Sequence, residues 1–115
     1  MDKLRKIEIK VSCELGYGSL LFSKDLELDF IPFQGLILKI DSDCTLNLIT
    51  NSYIQTNFKY DLEESKFIIL IKEFGIFASP EDYLEDCLKR FKNWTREDEN
   101  DVTKIRASLR KPFHK

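Results

Sequence analysis

Histidine is nearly missing from this chain: His114 is the only one in 115 residues, and it is the penultimate residue. A general base must be held within hydrogen-bond reach of its target, and a chain end just past Pro112 is poorly suited to hold one. Ser–His–Asp and Cys–His nucleophile systems and histidine metal sites are therefore not expected. Cysteine is scarce and odd in number. Cys13, Cys44 and Cys87 form no C-x-x-C pair, which predicts free, buried thiols in a reducing compartment rather than a disulfide frame or a zinc site. Four glycines and three prolines beside a 43% hydrophobic fraction exclude a disordered, collagen-like or low-complexity chain. Long apolar runs are absent too. The longest, Phe67 to Ile71, has five residues, against the roughly 18 of a membrane-spanning helix. The charged start Met1–Lys6 runs straight into an alternating pattern without an apolar block, so a soluble, cytoplasmic domain without membrane association is expected. A nucleotide loop is also missing. Gly16-x-Gly18 would need its third glycine at Leu21, and no Walker spacing occurs. No cofactor is expected.

What is present is pattern. Ile7, Ile9, Val11, Cys13 and Leu15 alternate with Glu8, Lys10, Ser12 and Glu14, the signature of a half-buried strand that ends at the turn Gly16–Ser19. Leu26, Leu28 and Phe30 alternate with Asp25, Glu27 and Asp29, and Leu20–Phe22 either open that strand or form a short one of their own. Leu36, Leu38 and Ile40, then Cys44, Leu46 and Leu48, repeat the period of two around the turn at Asp41–Asp43. Residues 53–62 alternate less cleanly. Lys66–Phe74 is apolar on both phases, as a central strand covered on both faces would be.

The rhythm changes at Ser79. Ser79-Pro80-Glu81-Asp82 combines an N-cap serine, a proline at the first helical position and acids at the positive end of the helix dipole. Tyr83, Leu84, Cys87, Leu88, Phe91 and Trp94 follow at helical spacing, predicting an amphipathic helix over 80–94. Thr95-x-x-Asp98 resembles a second cap, and Val102, Ile105 and Leu109 predict a shorter helix over about 97–110.

These elements predict one α+β domain spanning 1–115. Residues 1–75 form an antiparallel, curved sheet of five to seven strands, a meander or partial barrel, because short turns join antiparallel neighbours. Helix 79–94 covers it, and 95–115 supply a short basic helix and tail. In element order alone this resembles the pleckstrin-homology-like superfold, with no motif behind the likeness.

Charge is uneven. The last twelve residues carry five bases and no acid, which leaves 13 bases against 20 acids, a net −7, on residues 1–103. Lys104, Arg106, Arg110 and Lys111, with Phe113 as a stacking aromatic, are thus the chain's one candidate for phosphate contact. Nucleic acid is the least favoured partner. Asp25, Glu27 and Asp29 form an acidic ridge along one strand, with neighbours about 6.6 Å apart, that could face a basic partner. Asp41-x-Asp43 reads as a polar turn rather than a cation loop. Ile31 and Phe33 beside Pro32 and Gly35, and Tyr17 in the glycine turn, are candidate adhesive corners.

The leading expectation is a non-catalytic domain that binds another protein, or a second copy of itself, through a sheet edge, the Ile31–Phe33 corner or the basic tail. Clustered carboxylates are the one catalytic route left open. The alternatives are a small-molecule or lipid pocket lined by Phe58, Tyr60, Phe67 and Phe91 between sheet and helix, and a nucleic-acid accessory acting through the tail.

Overall fold

The computed structural model describes residues 4–16, 18–75 and 79–110, with Arg110 described by its backbone only. The order is β1 (Arg5–Glu14), β2 (Ser19–Leu28), β3 (Ile37–Asp41), β4 (Cys44–Asn47), β5 (Ile54–Asp61), β6 (Lys66–Phe74), α1 (Pro80–Arg90), β7 (Thr95–Arg96) and α2 (Val102–Arg110). The class is α+β, but the sheet corrects the expected topology. Five strands run β5-β6-β1-β2-β7, open at both edges, and β3 and β4 make a separate two-stranded sheet. The meander and the antiparallel partial barrel both fall, and the likeness to the pleckstrin-homology-like superfold falls with them. Each hairpin is antiparallel, as its short turn requires, yet β1 and β6 pair in parallel from Lys6↔Lys66 to Glu14↔Phe74. Residues 29–53 carry the chain from β2 at one side of the sheet to β5 at the other. The first and third hairpins therefore dock side by side in the same sense.

One face of the sheet is greasy because the register aligns the apolar phases. Val11 stands between Phe22 and Ile71, Ile9 is paired with Ile69, and Ile7 lies between Leu26 and Phe67. Val11, Phe22, Ile71, Ile9, Ile69 and Ile7 share one buried cluster with Tyr83, Leu84 and Cys87 of α1 and with Cys44, Leu46 and Leu48 at the β3–β4 hairpin, and Leu26 and Phe67 pack against it half-buried. Burying a residue such as Leu84, fully excluded from solvent, contributes about 1.5–3 kcal/mol.

α1 starts as its sequence dictates, with the Ser79 hydroxyl accepting from Asp82 N–H at 3.1 Å. It ends at Arg90, four residues before the predicted end. Phe91 leaves helical geometry (φ −105°, ψ 23°) and donates its N–H back to Cys87. Phe91 stacks on Phe22 and meets Trp94 edge-on, with ring centroids 4.9 Å apart in both pairs. Gly75 lies directly beneath the Tyr83 ring, where a Cβ would overlap it.

The second helix is also shorter than predicted. Thr95 and Arg96 pair with Ser23 and Phe22 as an edge strand, so Thr95 does not cap a helix. Asp101 does that work, its Oδ1 accepting from Thr103 N–H at 2.9 Å. Asp98 Oδ2 instead accepts from Leu21 N–H on the sheet edge.

Candidate interaction surfaces

The predicted apolar corner is exposed. Ile31, Phe33 and Ile37 keep 54%, 55% and 63% of their surfaces, and Phe30 keeps 38%. The segment is nonetheless pinned. Pro32 is buried, Gly35 (φ +99°) donates its N–H to Leu48 O at 2.7 Å, and Leu36 N–H closes a turn onto Phe33 O. A positive φ at Gly35 suits a residue without a Cβ.

The acidic ridge is present but interrupted. Asp25, Glu27 and Asp29 are all exposed. Glu27 lies across from Lys6, and Asp25 across from Glu8, whose carboxylate is paired with Lys66 at 2.9 Å. That pairing raises the Lys66 ammonium above its usual range. A continuous single-sign stripe is therefore not formed.

Of the basic-tail residues, Lys104 is exposed. Arg106 is committed to Glu85 of α1 through two hydrogen bonds of 2.6 and 3.1 Å, which raise its guanidinium's pKa. Arg110 is placed in α2 by its backbone. Tyr17, Lys111 and Phe113 lie outside the described residues. Of the aromatic residues named for a sheet–helix pocket, Tyr60 and Phe67 meet edge-on, while Phe91 is engaged with Phe22 and Trp94. A groove of about 470 Å³ lies on the sheet face away from α1, with Leu21 and Leu70 below and Lys10, Lys72 and Glu97 at the rim.

Two arrangements escaped the sequence reading. One is a half-buried polar cluster. Glu73 sits on the greasy face beside Cys13, and both of its oxygens accept from Arg90 of α1, one of them also from the Tyr83 hydroxyl at 3.0 Å. Arg90 is fixed further by Asp86 at 2.7 Å and lies 4.8 Å from the centroid of the Phe91 ring. Burial opposes its charge, but the Glu73 carboxylate overrides that and raises its pKa. Cys13 Sγ, Cys87 Sγ and a Glu73 oxygen lie within 4.8 Å of one another. A cation there would meet the Arg90 guanidinium, whose Nη2 is 4.0 Å from Cys87 Sγ. The cluster therefore reads as an ion pair clamping α1 to the sheet. The available signal was that Glu73 shares the phase of Phe67, Ile69 and Ile71. A charge on a buried phase demands a partner.

The other is the outer edge of β5: contact through a sheet edge is expected from the sequence, but which strand lies at an edge is not written in alternation.

The buried thiols set an alkaline limit. Burial pushes Cys44 up to about 11 from an ordinary 9.0. Cys13 is pushed up by its hydrogen bond to Cys87 and then by burial, and Tyr83 by burial and then by neighbouring Cys13 and Glu73. The unfolded chain releases these protons from about pH 9–10. The folded chain keeps them, so stability is whole below that pH and falls as pH rises. The slope is about 1.4 kcal/mol per pH unit for each group ionised only when unfolded, or about 2 kcal/mol from Cys44 alone by pH 11. Urea midpoints at pH 7, 9, 10 and 11 should drop steeply over the last three. A flat series would show that these groups are solvated in the folded protein.

No protein family, curated protein or solved structure matches this chain.

Proposed function

We propose that the chain is a non-catalytic protein-interaction domain whose contact surface is the corner Phe30–Ile37. The observation that carries this reading is the pairing of exposure with rigidity: Ile31, Phe33 and Ile37 are each more than half exposed on a segment anchored by buried Pro32 and by the Gly35–Leu48 hydrogen bond. Large apolar side chains left in water raise the free energy of the unbound state, and a partner that covers them recovers about 25 cal/mol per Å². Holding them on a fixed turn removes much of the ordering cost that binding otherwise carries. The partner is expected to offer an apolar cleft sized for an aromatic ring.

The test uses the full chain as bait in extract from its native cell. Ile31→Asp and Phe33→Asp should each remove the proteins that co-purify with the wild type, while folding stability stays within about 0.5 kcal/mol, as for other exposed substitutions. Capture of the same proteins by both variants, or of none by the wild type, would overturn the reading.

A further inference from the structure

Both long edges of the five-stranded sheet expose backbone, and they are treated differently. The β2 edge beyond Ser23 is flanked by the exposed charges Asp25 and Glu27, a common guard against strand addition. The β5 edge is closed over only half its length. The outward groups of Ile54 are taken by Asn51, and those of Thr56 by the Thr50 hydroxyl. Since outward groups recur every second residue, the N–H and C=O of Phe58 and Tyr60 point the same way. Among the described residues nothing bonds them. This half of β5 has no proline and no bulge, and its register with β6 is unbroken.

The side chains here are self-complementary. In an antiparallel pairing of this segment with itself, centred on Tyr60, Lys59 faces Asp61 of the other copy and Asp61 faces its Lys59. Phe58 faces Leu62, and Tyr60 meets its own equivalent across the two-fold axis. Tyr60 is 47% exposed and Leu62, in the turn that follows, 83%. Lys59 has no ion-pair partner among the described residues. The neighbouring registers are worse: a shift that centres on Lys59 sets two lysines face to face, and one that centres on Phe58 needs the Thr56 groups already held by Thr50.

We propose that the free half of the β5 edge pairs with the same segment of a second copy of this chain, antiparallel and centred on Tyr60, joining two sheets into one. About five residues a side bury well under the roughly 1,600 Å² of a standard interface. The dimer is therefore weak and concentration-dependent.

Sedimentation equilibrium of the full chain should show the mass rising from 13.6 kDa toward twice that value as concentration reaches roughly 0.5 mM, the range of small interfaces. Tyr60→Pro removes an N–H that its own sheet does not use, so the fold survives and the dimer is lost. Lys59→Asp makes the edge wholly acidic and Asp61→Lys makes it wholly basic. Each alone should weaken pairing by about tenfold, and an equal mixture of the two should restore it. Restoration on mixing separates edge pairing from the loss of the Asp61–Glu64 turn bond in the second variant. Ile31→Asp should leave the dimer unchanged, which keeps this result apart from that of the corner. A chain that stays at monomer mass, a dimer that survives Tyr60→Pro, or a mixture that does not pair would each overturn the proposal.

Discussion

Phe91→Ala is expected to cost about 3–5 kcal/mol of folding stability, a large part of the roughly 5–15 kcal/mol available to a domain of this size. Phe91 is 1% exposed, stacks on Phe22 of β2 and meets Trp94 edge-on. It is the point where the end of α1 closes over the sheet. Truncation removes the ring's transfer free energy and leaves a cavity that two further rings must collapse into. Phe91→Leu, which keeps most of the volume, should cost less than half as much. Guanidinium unfolding followed by near-ultraviolet circular dichroism measures both. A loss below about 1 kcal/mol for the alanine variant would mean that α1 does not roof the core.

Arg90→Met is the second large effect, with an expected loss of about 3 kcal/mol. It strands Glu73 on the buried face with the Tyr83 hydroxyl as its remaining donor. The double variant Arg90→Met with Glu73→Leu should recover most of that loss, because a buried ion pair replaced by apolar groups of similar size is often neutral or better. A double variant as unstable as Arg90→Met alone would show that Arg90 acts through packing on Phe91 and its bond to Asp86 instead.

Much of the local structure was legible. Alternation over 7–15 placed β1, the Ser79-Pro80 pair placed the start of α1, and Pro32 with Gly35 marked the corner. Where reading failed, a long-range contact had overridden a local one. Thr95-x-x-Asp98 looks like a cap, but Thr95 and Arg96 find unpaired backbone on β2, and Asp98 goes to the same edge. The apolar run Lys66–Phe74 lies between β5 and β1 as a central strand should, but its expected cover on both faces is missing, since Leu70 floors an open groove on the face away from α1. Apolarity on both phases is also how a parallel strand beside another central one reads, and it is the local trace of the β1–β6 pairing. The acidic ridge was legible as residues but not as a surface, since Lys6 and Lys66 arrive from two other strands to interrupt it.

By itself the amino-acid order determined which side chains face the same way, where each strand turns and where the helix begins, because these depend on neighbours one to four residues apart. The tertiary structure alone decided that two hairpins lie parallel, that Glu73 meets Arg90, and that β5 is left as an edge with half its backbone bare. Those outcomes depend on which distant surfaces bury the most apolar area together, and a periodicity of two or of 3.6 carries no information about distance along the chain.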